Sequence, residues 1–257
     1  MPALTARKRM GETVIITGAS RGIGAATALL AARHGYAVAV NYLRQQAAAE
    51  ALVAQIRAAG GEAQAIQADI EQEADVLRLF QQAEQTLGPL RGLVNNAARL
   101  ETQMRLEQMG ADRLQRVFAT NVIGSLLCAR EAVKRLSTRH GGKGGAIVNV
   151  SSAAARLGSA NEYIDYAASK GAIDTLTLGL AREVAAEGIR VNAVRPGFIY
   201  TDMHADGGEP GRVDRLTPQI PMQRGGQATE VAEAILWLLS DAASYTTGSF
   251  IEVSGGR

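Results

Sequence analysis

Short β-branched apolar runs alternate with longer alanine-rich stretches through almost the whole of this 257-residue chain. Residues 13–17, Thr-Val-Ile-Ile-Thr, form the first run, and a helical pattern over 23–34 follows the glycines behind it. Residues 36–41 and 62–67 predict two more strands, with an alanine-rich helix over 47–59 between them. Runs at 92–95, 146–150, 190–194 and 249–253 bring the expected strands to seven, with helical patterns lying between them. This repetition requires parallel pairing, because each right-handed crossover returns the next strand in the same direction. The expected fold class is therefore α/β, a doubly wound three-layer sandwich around a seven-stranded parallel sheet. Ligands of such a sheet collect beyond the carboxyl ends of the strands, above all where strand order reverses.

An apolar content of 47% suffices for one full core, and no proline-, glycine- or serine-rich linker divides the chain. The expected organisation is a flexible segment over 1–11 and a single domain over 12–257, with a substrate lid around 202–227, a stretch rich in Gly and Pro. Arg7, Lys8 and Arg9 cluster in the first segment and read as a solvated terminus. The formal charge is only +2 and its signs are interspersed, which does not point to nucleic acid. No segment approaches the roughly 20 apolar residues of a membrane helix, and no signal peptide follows the basic cluster, so a soluble cytoplasmic protein is expected. Cys128, the sole cysteine, excludes an internal disulfide and reads as a small core residue. His34, His140 and His204 have no ligand-like spacing, and no metal is expected.

Gly18, Gly22 and Gly24 stand in Thr-Gly-Ala-Ser-Arg-Gly-Ile-Gly, residues 17–24, directly after the first strand and at the opening of the first helix. Glycines there let the backbone turn tightly against a pyrophosphate, while free helix N–H groups and the helix dipole favour the anion. The spacing is Gly-x3-Gly-x-Gly, unlike the commoner dinucleotide fingerprint Gly-x-Gly-x2-Gly.

Tyr166 and Lys170 lie four residues apart in a helical pattern, hence on one face. A lysine cation favours phenolate, and is expected to bring the phenol from its reference pKa of about 10 towards the working range of a proton donor. The same spacing occurs on many solvated helices, so the pair gains meaning only beside the glycine loop.

The glycine loop and Tyr-x3-Lys together resemble the short-chain dehydrogenase/reductase family, and the similarity runs over 13–256. Its other landmarks are Asn-Asn-Ala-Ala at 95–98, Asn121, Val-Asn-Val-Ser-Ser at 148–152, and Pro196 with Gly197. Ala98 departs from the pattern, since the family usually carries glycine there. The overall pattern is similar to 3-oxoacyl-carrier-protein reductases and to glucose dehydrogenase-like members. The resemblance implies a Rossmann-type fold, hydride exchange between a nicotinamide and a carbonyl or alcohol, and a homotetramer built on the long helices around Asn121 and Tyr166 and on the carboxyl-terminal strand.

By the same resemblance Tyr166 is the general acid/base, Lys170 its electrostatic partner and ribose ligand, Ser152 a donor to the substrate oxygen, and Asn121 the holder of a proton-relay water. Thirteen residues separate Ser152 from Tyr166, about one more than is commonest in the family, which leaves Ser151 as a fallback. Tyr163 has Ala167 four residues on and lacks the lysine. The implied cofactor contacts are Gly18, Ser20, Arg21, Gly22, Ile23 and Gly24 at the phosphates, and Asp69 at the adenine. Asn95 and Ala97 would lie towards the adenosine ribose, Tyr166 and Lys170 at the nicotinamide ribose, and Pro196, Gly197, Ile199 and Thr201 along the nicotinamide. An acid at the end of the second strand would bond a ribose diol and repel a 2′-phosphate. Here Asn41 and Tyr42 stand there instead, and Arg21 and Arg44 are close enough in sequence to pair with that phosphate. NADP(H) is expected over NAD(H).

The expected activity is an NADP-dependent interconversion of a small-molecule carbonyl and its alcohol. A 3-oxoacyl-carrier-protein reductase is the alternative within the family, ranked lower because Glu187 stands where the resemblance would favour a cation for an acidic carrier. A catalytically silent dinucleotide sensor is the alternative of another class, and the retention of Asn121, Ser152, Tyr166 and Lys170 argues against it.

Overall fold

The computed structural model describes residues 12–257, so the expected flexible segment with Arg7, Lys8 and Arg9 lies outside the described residues. Seven strands form one parallel sheet: β1 (Thr13–Ile16), β2 (Ala37–Tyr42), β3 (Ala63–Gln67), β4 (Leu90–Asn95), β5 (Gly145–Val150), β6 (Ile189–Pro196) and β9 (Phe250–Val253). Their spatial order is β3-β2-β1-β4-β5-β6-β9, and every pair is parallel. The chain thus winds outwards from β1 in one direction, then returns to add β4 on its other side. That reversal opens a crevice above the carboxyl ends of β1 and β4.

The strands are apolar on both faces, as a doubly covered sheet demands. Val14 and Ile16 face a core that also holds Ala28, Ala31, Ile235 and Leu239, whereas Ile15 faces a second core with Phe80, Cys128, Ile147 and Val184. Helices α1 (Gly22–Arg33), α2 (Gln46–Ala58) and α10 (Ala228–Leu239) cover the first face. Helices α3 (Glu73–Leu87), α5 (Ser125–Leu136) and α7 (Ile164–Val184) cover the second. Cys128 is fully buried there, and burial pushes its thiol up to about 12, where it stays protonated and inert.

Helix α4 (Ala111–Phe118) continues through a π-helical turn, Ala119–Gly124, into α5. A buried bidentate pair locks α4 to the start of α7: Arg113 donates through Nε and Nη2 to the Asp165 carboxylate at 2.7 and 3.2 Å. A short helix α6 (Ala154–Leu157) joins β5 to α7. The stretch 202–227, expected to be irregular, folds into short elements instead. Strand β7 (Ile199–Tyr200) pairs with β8 (Gly226–Gln227), and between them lie helices α8 (Met203–Asp206) and α9 (Arg212–Leu216). Among the described residues no helix is long and apolar enough to cross a membrane.

Candidate active site

Two neighbouring cavities occupy the crevice, one of about 490 Å³ and one of about 120 Å³. Gly18, Ser20, Arg21, Gly22, Ile23, Asn41, Tyr42, Arg44, Asp69, Ala97 and Thr201 all border the larger. Ser152, Tyr166, Lys170, Pro196, Gly197 and Ile199 border the smaller. Ile23, Asn96, Ala98, Leu100, Thr201 and Met203 border both and mark the junction.

The larger cavity begins at the glycine loop, whose shape is fixed by bonds to both neighbouring strands. The Gly18 N–H donates to Asn41 Oδ1 at 3.1 Å, and the Ala19 N–H to the Asn41 carbonyl at 2.8 Å. Asn96 Nδ2 donates to the Thr17 and Gly18 carbonyls at 2.8 and 3.0 Å. Gly18 adopts a φ of 60°, and a methyl added to it would meet Ala97 Cα at 2.9 Å. A methyl on Gly24 would meet Asn96 Nδ2 at 2.6 Å and the Gly18 carbonyl at 2.7 Å. The α1 amino terminus opens beside this cradle with no side-chain cap and no acid in its first turn, which leaves its dipole uncompensated there. Such a cradle fits a pyrophosphate, and a cleft of this size next to it fits the remainder of a dinucleotide.

Arg44 is exposed at the rim, whereas Arg21 is already engaged: it pairs with Asp206 on α8 and lies 4.0 Å from Asp202. Asp69 shapes the turn before α3, its Oδ1 accepting the Glu71 N–H at 3.0 Å.

Asn95 is not in the cleft, contrary to the expectation that it lies by the adenosine ribose. Its side chain points into the protein, where Nδ2 donates to Asn149 Oδ1 at 3.0 Å and to the Ser125 carbonyl at 3.2 Å. Successive strand residues point to opposite faces, so the neighbouring Asn96 takes the place at the cleft. The sequence reading missed Asn96, though it lies in the same Asn-Asn-Ala-Ala run.

In the smaller cavity the phenol, the ammonium and one serine hydroxyl converge. Lys170 Nζ lies 5.5 Å from the Tyr166 ring centre and donates to the Val150 carbonyl at 2.7 Å. Ser152 Oγ accepts the Ala154 N–H at 3.1 Å, which leaves its hydroxyl proton free to turn towards the phenol, and the serine works to lower the phenol's pKa. Ser151 has a different use, donating to Asp174 Oδ1 at 2.6 Å. The thirteen-residue spacer to Tyr166 is taken up by α6 and a turn in which Gly158, Ser159 and Asn161 have φ values of 77°, 48° and 62°.

Lys170 does not draw the phenol down. Burial pushes Tyr166 up to about 12, and the opposing influences are the Ser152 hydrogen bond and the charge of Arg212. Burial also lowers Lys170 to about 8, against the favourable charge of Asp174. Desolvation outweighs the helical neighbour: Lys170 is buried, and Tyr166 is half-buried on the cavity wall.

Asn121 stands behind the cavity, fully buried in the π-helical turn. Its Oδ1 accepts the Arg99 N–H at 2.7 Å, and Nδ2 donates to Ser169 Oγ at 2.9 Å and the Arg99 carbonyl at 3.1 Å. The side-chain amide is thus committed to Arg99 and Ser169. Tyr163 is buried and donates to the Gly207 carbonyl at 3.1 Å, tying the base of α7 to the 202–227 segment. Glu187 is buried as well, accepting Ser137 Oγ at 2.5 Å and Arg139 Nη1 at 3.1 Å, so it is not a surface acid that would repel a carrier.

A family model described as enoyl-(acyl carrier protein) reductase matches residues 18–257. The chain belongs to the short-chain dehydrogenase/reductase family and is an oxidoreductase of that family. It is 63% identical over 243 residues to the uncharacterized oxidoreductase YgfF of Escherichia coli strain K12, covering 95% of this chain and 98% of that one. It is 38% identical over 250 residues to the 3-oxoacyl-[acyl-carrier-protein] reductase FabG of Staphylococcus aureus strain Mu50, covering 96% and 98%. Among solved structures, a doubly substituted variant of a Serratia marcescens short-chain dehydrogenase/reductase aligns with a TM-score of 0.88 and 34% identity, over 97% of this chain and 99% of that one.

Proposed function

We propose that the protein reduces a ketone or aldehyde to an alcohol with NADPH, the carbonyl lying in the smaller cavity. The observation that carries this reading is the convergence of Ser152, Tyr166 and Lys170 on a cavity that adjoins the glycine cradle. The dinucleotide, when bound, supplies the hydride. Negative charge then grows on the carbonyl oxygen, where the Ser152 hydroxyl stabilises it and the Tyr166 phenol protonates it. Lys170, charged below about pH 8, would hold the nicotinamide ribose. Asn121 acts through Ser169 and Arg99, and its service to catalysis is positional.

The absence of an acid along 41–45 and the exposed Arg44 support NADP(H) over NAD(H). Phe118, Ile123, Leu126 and Leu178 are large apolar residues left exposed along α4, the π-helical turn, α5 and α7, which supports a homotetramer on those helices. We place the enzyme in the cytoplasm on its likeness to FabG.

The test is NADPH oxidation across a carbonyl panel. Tyr166→Phe should lower kcat by about 10²- to 10⁴-fold while leaving NADPH affinity intact. Activity unchanged by that substitution would sink the mechanism. A second reading, reduction of a carrier-linked 3-oxoacyl group, is favoured by the FabG likeness and by the burial of Glu187. It would displace the first if a carrier thioester were turned over far faster than any free carbonyl.

A further inference from the structure

The wall of the smaller cavity carries three cationic side chains, Lys170, Arg212 and Arg257, and no acidic side chain among the described residues. Lys170 is absorbed by the reading above. Arg212 and Arg257 are not, and neither is explained by the fold alone.

Arg212 opens α9, with its side chain only 10% exposed. Its guanidinium lies 4.7 Å from the Tyr163 ring centre and 5.3 Å from that of Phe198, which fixes its plane between two aromatics. Nη2 pairs with Glu162, outside the cavity lining. Nε is buried without a hydrogen-bond partner, its nearest acid being Glu209 Oε2 at 4.0 Å. Arg257 reaches the same cavity from the far end of the chain, its guanidinium 4.9 Å from the Phe198 ring and Nη1 donating to neutral Gln219 at 2.9 Å. His204 adds no charge: its Nε2 engages the Ile199 carbonyl at 3.0 Å, and burial followed by the charge of Arg212 lowers its pKa.

We infer that the substrate is a small oxo acid whose carboxylate is held by Arg212, with Arg257 completing the positive wall. This rests on the reading of the cavity as a carbonyl-reducing site. A carboxylate matches the planar fork of arginine. The volume of about 120 Å³ suits a short chain better than a phosphorylated sugar or a long acyl group.

The experiment uses the full chain with NADPH and a panel of four- to six-carbon oxo acids, each paired with its methyl ester. At least one acid should exceed its ester in kcat/KM by roughly 10-fold or more. Arg212→Gln should lower kcat/KM for that acid by roughly 10- to 100-fold, chiefly through KM, with the ester changing less than about 3-fold. Arg212→Lys should restore part of the loss, a rescue that a merely structural role would not confine to the acid. Binding gives a readout independent of turnover: the acids, but not their primary amides, should raise the Tm of the wild type and not of Arg212→Gln. Should Arg212→Gln unfold, Arg257→Gln takes its place and should weaken acid binding selectively.

Equal turnover of acids and esters, with Tyr166-dependent reduction intact, would overturn the carboxylate site and leave the reductase standing. Acid binding that depends on Arg212, with no carbonyl reduced, would keep the anion site and remove the reductase reading. Tighter inhibition by a small alkyl phosphate than by a carboxylate of equal length would also overturn the assignment.

Discussion

The glycine loop and the 202–227 segment flank the same crevice, yet they are held in place by different forces. The loop is fixed by buried amide and backbone bonds to β2 and β4, from Asn41 and Asn96, and by glycines whose missing methyls leave no slack. The 202–227 segment is fixed largely by charge pairs at its margins: Arg21 with Asp206, Arg212 with Glu162, and Arg215 with Glu209. The more exposed of these, Arg21 with Asp206 and Arg215 with Glu209, contribute roughly 0–1 kcal/mol each, whereas Arg212 with Glu162 is largely buried. The loop has the character of a mould and the segment that of an adjustable cover.

The largest effect that would test this contrast is Gly24→Ala. Its methyl would lie under 3 Å from Asn96, Gly18 and Ala19, all of them pinned. Overpacking of about 1–3 kcal/mol should lower Tm by roughly 2–12 °C. NADPH affinity should fall by more than about 10-fold, because the displaced atoms form the cradle. A variant with unchanged Tm and affinity would show that the loop is not a mould.

Next in size is the dependence on pH. Glu209, held at about 2 chiefly by its Arg215 hydrogen bond, stays charged throughout the neutral range, so the cover should not titrate there. Lys170 should, near 8 in the unliganded enzyme. Its cation is lost as pH rises, so kcat/KM for NADPH should be level below about pH 7 and fall roughly 10-fold per unit well above 8. Stability moves oppositely for this group. Between about 8 and its ordinary 10.5 the unfolded chain binds the proton more readily, so Lys170 makes folding more favourable as pH rises through that window. A pH–rate profile flat to pH 9.5 would remove Lys170 from the mechanism.

A smaller effect concerns Arg21 and the 2′-phosphate. Asp206→Asn releases Arg21, and NADPH should bind about 2- to 5-fold tighter while NADH is unaffected, as expected for an exposed pair. Arg44→Ala should weaken NADPH by a similar factor. If neither variant alters the ratio of NADPH to NADH affinity, the preference is not set by these cations.

The smallest effect is Gly211→Ala in the cover, where an added methyl meets nothing within 4 Å. Tm should stay the same or rise by a degree or two, through lost freedom in the unfolded chain. A destabilisation as large as that of Gly24→Ala would erase the distinction between the two regions.

The β–α alternation, the sheet it requires, the glycine loop and the helical facing of Tyr166 and Lys170 all depend on residues close in the chain. Periodicity and spacing encode such features directly, so the sequence alone determined them. Which member of Asn95–Asn96 enters the cleft, and which of Ser151–Ser152 meets the phenol, was decided only by tertiary structure. Neighbouring residues at a strand end point to opposite sides, and register settles the choice. Tertiary structure also buried Lys170 and packed Tyr166 into the cavity wall, where desolvation overrides their proximity. It turned Glu187 inward and brought Arg257 from the end of the last strand's turn to Arg212 on the cover. Those outcomes arise from contacts between residues tens to hundreds of positions apart, on which no local pattern reports.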